Sequence, residues 1–216
     1  QSFGAFLAPG VRLVLTGEAN DYVGKGMSGG EIIIKAISPR KYTPHDCIIL
    51  GNTVMYGATG GILFANGRGG ERFGVRNSGG TAVVEGVGDH CCEYMTNGTV
   101  VVLGSTGKNF GAGMTGGVAY VLDLEDAFLE RYNPQLITPE RLANEEDIVA
   151  LKALIYKHLE LTESEIAKEI LSDWPKYSGK FWKVRPTVPA AKPVPTEVKK
   201  PEEAGHVINE NVTAAP

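Results

Sequence analysis

The stretch GKGMSGGEIIIKA at residues 24–36 returns as the near copy GAGMTGGVAYVLD at residues 111–123. In both copies a glycine-rich turn leads directly into an apolar run containing β-branched residues, which favour β-strands. Weaker copies occur at 56–67, 75–86 and 94–104. Aligned on the second residue of their glycine pair, the last four copies are spaced 19, 18 and 19 residues apart. A turn-and-strand repeat therefore organises the first half of the chain.

The repeat predicts a solenoid. Its strand-like segments are LVLTG (13–17), IIIKA (32–36), CIILG (47–51), LFANG (63–67), AVVEG (82–86), VVVLG (100–104) and AYVLD (119–123). Their spacing of 15 to 19 residues leaves no room for the crossover helices that normally connect parallel strands. Such short units stack coil upon coil. We therefore predict an all-β fold, a right-handed single-stranded parallel β-helix of about seven coils over residues 1–123. The alternative is an antiparallel sandwich with regularly spaced turns, but hairpin turns need not be copies of one another.

The glycines at 24, 26 and 29 also match the G-x-G-x-x-G motif of dinucleotide-binding loops, with Asp46 near the distance expected of a ribose-binding acid. That motif must open a helix, whose N-terminus holds the pyrophosphate. Both copies here lead into a strand instead. We interpret the glycines as coil corners, where a Cβ would clash with neighbouring coils, and Asp46 as a residue at a strand edge.

Composition excludes several classes of protein. The 216-residue chain has a net charge of −4, which argues against a nucleic-acid partner. No apolar run approaches the length of a membrane span. Three cysteines without a CxxC pattern predict neither a disulfide framework nor a metal site, and they fit a reducing, cytoplasmic location.

The pattern changes after residue 123. Only two of the 28 glycines lie beyond residue 117. Residues 138–174 are predicted to be helical, with Asn144 capping one helix, Thr162 and Glu165 forming the capping box of the next, and Pro175 ending it. FWKVRP (181–186) is predicted to be extended. We expect residues 124–186 to pack on the β-helix as a helical cap over an open end. Residues 187–216 are predicted to be a disordered or extended tail.

Two features of the sequence bear on a catalytic site. Asp89, His90, Cys91 and Cys92 are adjacent and include both a thiol and a base, but adjacency in sequence does not orient a nucleophile. A β-helix enzyme acting on carbohydrate needs carboxylates at one phase of successive coils. After the glycine pair of each copy only Glu31 is acidic, so no such ladder forms at that position. We predict no catalytic residues, no cofactor-binding residues and no metal ligands.

Arg68, Arg72 and Arg76 lie close together in the glycine-rich segment at 66–77. They are either ordinary surface arginines or an interdomain docking patch, because Arg is enriched at interfaces.

Several ordered segments resemble one family. They are QSFGAFLAPG (1–10), NDYVGKGMSGGEI (20–32), GNTVMYGATGG (51–61), residues 67–104, GKNFGAGMTGGVAYVLD (107–123) and FWKVRP (181–186). Together they resemble the C-terminal glycine-repeat (GXGXG) domain of the glutamate synthase large subunit, a domain also found in a subunit of formylmethanofuran dehydrogenase. The likeness extends to about residue 186 and implies a right-handed β-helix.

The resemblance also implies a function. In the family, the whole subunit makes two glutamates from glutamine and 2-oxoglutarate. A glutamine amidotransferase domain and an FMN-binding synthase domain with an iron–sulfur cluster precede the glycine-repeat domain, and none of the family's catalytic residues maps onto this chain. We therefore expect a scaffolding domain or subunit that holds those partners and has no activity of its own. The alternatives are a stand-alone carbohydrate-active β-helix and a self-associating, homo-oligomeric solenoid.

Overall fold

The computed structural model describes residues 1–37, 43 and 46–187 of the chain. The strands of this part are β1 (Arg12–Thr16), β2 (Ser28–Lys35), β3 (Ile48–Leu50), β4 (Gly60–Ala65), β5 (Arg68–Gly69), β6 (Ser78–Val84), β7 (Asn97–Val102), β8 (Val118–Leu122), β9 (Ile137–Arg141) and β10 (Phe181–Pro186). The helices are α1 (Glu145–Thr162), α2 (Glu165–Ser172) and α3 (Trp174–Ser178), and a 3-10 turn covers Phe128–Glu130. Apart from residue 187, the predicted tail lies outside the described residues.

Six strands form the main wall of the solenoid. β1, β2, β4, β6, β7 and β8 pair in this order, and each pair is parallel. Equivalent residues of successive coils lie side by side, so that Ile32 pairs with Leu63 and Leu63 pairs with Ala82. The predicted parallel β-helix is therefore confirmed, and the alternative antiparallel sandwich is wrong.

The β-helix has about five turns, fewer than the seven coils predicted. Six of the seven predicted coils supply the six strands of the main wall, which enclose five turns between them, and the remaining predicted coil, CIILG, does not join that wall. This segment forms β3, which pairs in parallel with β5 in a separate two-stranded sheet. The longer gap between Gly30 and Gly61 thus adds a strand outside the main sheet and no further strand within it.

From β2 to β8 the main sheet is buried on both faces. Side chains alternate along a strand, so Leu63 and Ala65 enter the core inside the solenoid while Phe64 enters a second core outside it. This second core joins the outer face of the sheet to Leu151 and Ile155 of α1. Strands covered on both faces carry uninterrupted apolar runs, as residues 82–84, 100–103 and 118–122 do.

The helices cover the side of the solenoid and not its end. α1 contacts β2, β4 and β6, so the expected helical cap over an open end is wrong. The outer face of the sheet carries a row of large apolar residues that includes Ile33, Phe64 and Val83, so it has to be covered along these strands. At the β8 end, β10 pairs antiparallel with β8 and with β9, which continues the sheet. The proposed domain boundary at residue 123 stays a prediction.

Two helix boundaries differ from the prediction. Asn144 caps α1 as predicted, since its side chain accepts hydrogen bonds from the amides of Glu146 and Asp147. Residues 138–141, which were predicted to be helical, lie in β9. Antiparallel pairing with β10 decides this assignment, because a distant strand supplies the hydrogen bonds that a helix would otherwise make.

The predicted capping box is also wrong. Ser164 caps α2, whereas the Thr162 hydroxyl donates to the carbonyl of His158 at the end of α1. Pro175 does not end α2 but lies in the first turn of α3, where proline is tolerated because that turn needs no amide donor. FWKVRP forms β10, so its predicted extended conformation is confirmed.

Candidate functional site

Each coil turns through three residues at positive φ, spaced two apart in sequence. We call this set the corner row. Its members are Ser2, Gly4 and Phe6; Tyr22, Gly24 and Gly26; Thr53, Met55 and Gly57; Arg72, Gly74 and Arg76; His90, Cys92 and Tyr94; and Asn109, Gly111 and Gly113. A non-glycine residue held in this conformation costs on the order of 1 kcal/mol or more, so surrounding contacts must hold it there.

Hydrogen bonds between coils hold the corner row. The amide of Tyr22 donates to Asn52 of the next coil (3.0 Å), that of Gly24 to Phe3 of the preceding coil (2.9 Å), and that of Gly26 forward again to Tyr56 (2.8 Å). The same alternation recurs in the coils that follow, for example at Thr53, Met55 and Gly57. Every such coil is therefore bonded to both neighbours at its corner as well as through the sheet.

The structure separates the three arginines of the predicted docking patch. Arg72 and Arg76 are exposed members of the corner row. Arg72 Nε lies 2.9 Å from a carboxylate oxygen of Glu93, and the Arg76 guanidinium lies 5.9 Å from the ring centroid of Tyr94. Arg68 lies in β5, outside the corner row, where it lines a cavity to which neither of the other two contributes.

The cavity beside Arg68, which we call the Arg68 cavity, has a volume of about 200 Å³. It is lined chiefly by residues that follow β7 and β8, together with Asp46 and Glu85. Asp46 thus contributes to a cavity wall rather than to a ribose site. The Nε atom of Arg68 is buried and has no hydrogen-bond partner among the described residues. A buried donor without an acceptor is unusual in a folded protein.

A buried polar cluster beside this cavity was missed by the sequence analysis. One carboxylate oxygen of Glu85 accepts from Asn66 (2.8 Å) and from the Ser164 hydroxyl, and it lies 3.1 Å from His158 Nε2. Glu85, Asn66, His158 and Ser164 are all essentially inaccessible to solvent. Burial raises the pKa of Glu85, but the hydrogen bond and charge of His158, with Ser164 and Asn66, outweigh it and lower the pKa below its usual value.

The sequence indicates only two of the four residues of this cluster. Asn66 and Glu85 each follow a strand at the same phase of adjacent repeats, where the next coil has Leu103. Two polar residues stacked at one phase indicate a buried hydrogen bond. Nothing in the local pattern indicates that His158, 73 residues after Glu85, completes the cluster.

The adjacent residues 89–92 have different partners in the structure. Asp89 accepts from the amide of Lys108 at 2.7 Å, and His90 Nδ1 lies 3.0 Å from the side-chain nitrogen of Asn109. Cys91 and Cys92 are buried with their sulfur atoms 3.7 Å apart. Burial raises the pKa of the Cys91 thiol well above its usual value, which keeps it protonated and unreactive.

The comparison with known families agrees with this geometry. Residues 1–187 match the family described as "GXGXG motif". The chain belongs to the GXGXG motif family. In this GXGXG chain the first two glycines of the two best copies, at 24, 26, 111 and 113, are corner-row residues. At Gly61, a later glycine of the repeat, φ is +84° and an added Cβ would lie 2.7 Å from the carbonyl oxygen of Gly29 in the preceding coil.

The relatives of this GXGXG chain include glutamate synthases, which confirms the resemblance stated above. It is 54% identical over 207 residues to "Ferredoxin-dependent glutamate synthase 2" of Synechocystis sp., a match covering 96% of this chain and 13% of that protein. It is 50% identical over 186 residues to "Ferredoxin-dependent glutamate synthase 1, chloroplastic/mitochondrial" of Arabidopsis thaliana (86% and 12%) and to the NADH glutamate synthase of Schizosaccharomyces pombe (86% and 9%). The chain thus spans about an eighth or less of the curated relatives it matches.

The residues of this GXGXG chain do not fit the iron–sulfur cluster of the resembled enzyme. Two of its three cysteines are buried neighbours, and no group of three or more potential ligands that could hold a metal ion occurs among the described residues. Among the described residues, the corner glycines other than Gly57 face side chains of the chain itself, so these glycines form no cradle for FMN. In the described part of the chain, no helix is long and apolar enough to cross a bilayer.

Proposed function

We propose that this chain is the GXGXG part of a glutamate synthase and acts there as a non-catalytic scaffold. Its partners are the glutamine amidotransferase and the FMN-binding synthase parts, which carry the FMN and the iron–sulfur cluster. The proposal draws on the names of the relatives, which are much longer proteins than this chain.

The corner row is the observation that carries the scaffold role. Each coil is tied to its neighbours by parallel strand pairing on one side and by alternating amide bonds at the corner. A continuous apolar core joins the early coils to the last, since Ile32, Leu63 and Val121 belong to one buried cluster. Such a body bends little, because bending breaks hydrogen bonds between several coils at once. A rigid spacer is what two catalytic parts need if they are to stay in register.

The relatives suggest that this part of the enzyme does not select the electron donor. Segments of similar identity, 54% and 50%, occur in a protein named for ferredoxin and in one named for NADH. We propose that donor recognition belongs to other parts of the polypeptide. The predicted cytoplasmic location stays a prediction, because a plant relative is named for plastids and mitochondria.

A chimeric enzyme tests the scaffold role. In the Synechocystis glutamate synthase, the matching segment is replaced by this chain or deleted. With this chain present we expect formation of glutamate from glutamine and 2-oxoglutarate. With the segment deleted, or with Gly61→Val disrupting the coil stack, we expect glutamine hydrolysis to continue while glutamate formation is lost. Full glutamate formation by the deletion variant, or glutamate formation by this chain alone, would overturn the proposal.

A further inference from the structure

The three arginines of the predicted docking patch differ in what they already bind. Arg72 is paired with Glu93, and Arg76 is stacked on Tyr94. Arg68 has neither an ion pair nor a hydrogen-bonding acceptor for its side chain among the described residues, although it is half-buried and its Nε is fully buried. A guanidinium that has lost water without gaining an acceptor is destabilising, so Arg68 is the member of the patch that lacks a partner.

Apart from Asp46, whose carboxylate makes no ion pair with Arg68 or with any other described residue, the charged groups that line the Arg68 cavity are engaged by the chain itself. Arg131 donates to the carbonyl of Thr106 at 3.1 Å and to Glu125 at 3.2 Å. Asp123 accepts from the amides of residues 127 and 128 and from the indole of Trp182. Glu85 accepts from three side chains, as described above. Among the described residues that line the cavity, Arg68 is therefore the cation that is free to donate hydrogen bonds to an incoming acceptor.

Arg68 is held in place before any partner arrives. Its backbone amide donates to the carbonyl of Cys47 at 2.8 Å, which fixes β5 against β3. Its aliphatic stem lies against Gly86, where an added Cβ would come within 2.9 Å of the Arg68 Cγ. Because Gly86 has no side chain, the methylene groups of Arg68 can pack against it. A preorganised guanidinium binds a carboxylate through two parallel N–H bonds with little further loss of side-chain entropy.

The surroundings favour a protein segment over a free ion. Ile48, the Cα partner of Arg68 in the β3–β5 pair, is 63% exposed, and Leu124, which lines the cavity, is 52% exposed. Exposed apolar residues around a desolvated arginine are typical of a protein–protein contact whose periphery excludes water. Because the chain spans 13% or less of its relatives, most of their length lies outside it and is available as the partner.

We infer that the Arg68 cavity receives the carboxylate of an Asp or Glu side chain from another part of the glutamate synthase polypeptide. Ile48 and Leu124 contact the apolar residues next to that acidic side chain. Arg68 thus anchors the scaffold, while Arg72 and Arg76 contribute little because they are already engaged. This inference rests on the proposed function and names the chemistry of its docking contact.

Two measurements test the inference. In the first, acetate is titrated into the isotopically labelled 216-residue chain while NMR follows the arginine Nε–H signals. A saturable shift of the Arg68 signal, with those of Arg72 and Arg76 unchanged, is expected. In the second, the remaining parts of the Synechocystis enzyme are co-expressed with this chain and the affinity between the two is measured. Arg68→Ala should weaken binding by about 30-fold or more, the effect of removing one partner of a buried charge pair.

Matched variants make each outcome decisive. Arg72→Ala and Arg76→Ala should change affinity by less than about 3-fold, as is usual for peripheral contacts. Arg68→Lys, with its thermal unfolding midpoint measured to confirm folding, should bind almost as weakly as Arg68→Ala because it lacks the planar fork. Absence of an acetate shift at Arg68, or unchanged affinity in Arg68→Ala, overturns the inference and leaves the scaffold proposal standing. Failure of the wild-type chain to bind the remaining parts overturns the scaffold proposal and the inference together.

Discussion

Replacing Glu85 by Ala removes the acceptor that joins the solenoid to its helices. Three buried donors, on Asn66, His158 and Ser164, lose their shared partner at once. Each unsatisfied buried donor costs about 1–3 kcal/mol. The contributions overlap, because the donors share one oxygen. We therefore expect Glu85→Ala to lower the free energy of unfolding by about 3–5 kcal/mol, somewhat less than the sum for three independent donors.

Urea denaturation followed by circular dichroism measures this loss. The matched control is Glu140→Ala, which removes an exposed ion pair between Glu140 of β9 and Arg185 of β10 and should cost less than about 1 kcal/mol. A loss below about 1 kcal/mol in Glu85→Ala would refute the reasoning, since it would mean that the cluster adds nothing to the attachment of the helices.

The same cluster predicts a pH dependence with a defined sign. The pKa of Glu85 is lower in the folded chain than its ordinary value of 4.5, because the effects of His158, Ser164 and Asn66 exceed that of burial. The folded state therefore binds the proton less tightly than the unfolded state, and the Glu85 contribution is present above about pH 4.5 and decreases as the pH falls through the folded-state pKa. As the pH falls below 4.5, the free energy of unfolding of Glu85→Gln should decrease less than that of the wild type, because Gln has no carboxylate to protonate. Identical pH profiles for the two proteins would contradict this explanation.

Three further predictions concern the coils, the helix cap and the thiols. Gly61→Ala should lower the free energy of unfolding by about 2 kcal/mol or more, because the residue has φ +84° and an added Cβ would meet backbone of the preceding coil. Gly179→Ala should be nearly neutral, because nothing lies within 4 Å of an added Cβ there. Equal urea midpoints for the two variants would contradict the explanation that close packing between coils requires glycine at position 61. Ser164→Ala should lower the thermal unfolding midpoint more than Thr162→Ala, since Ser164 both caps α2 and donates to the buried carboxylate; the reverse order would restore the predicted capping box. An aromatic disulfide reagent should label one thiol quickly in the folded chain and three after unfolding, because burial raises the pKa of Cys91 and its neighbour is buried as well; three fast thiols in the folded chain would contradict it.

Local patterns predicted the elements well where the repeat itself supplied the contacts. The copies at 24–36 and 111–123 are similar because their residues occupy the same phase of the solenoid and meet one another's equivalents. CIILG was misassigned because a strand of the same composition serves equally well in the main sheet or in a small second one. Residues 138–141 were misassigned because their partner strand comes more than 40 residues later.

The candidate site was predictable only in part. The sequence showed three arginines close together, and residue type alone made them equivalent. The structure makes them different: β5 carries Arg68 to a cavity, and the corner row holds the other two where Glu93 and Tyr94 engage them. The buried cluster at Glu85 was half visible as two polar residues at one phase. Its histidine and serine come from helices whose docking no local pattern specifies.

The repeat in the sequence by itself determined that this protein is a solenoid. Parallel stacking places each residue beside its counterpart one turn away, so the spacing of the repeat specifies which residues contact one another. Which side of the wall the helices cover, which strand closes the last turn, and which arginine is left without a partner were decided only in three dimensions. Those outcomes depend on contacts between segments that do not belong to the repeat. Such contacts are decided by the shape, burial and charge of surfaces that come together only in the folded chain.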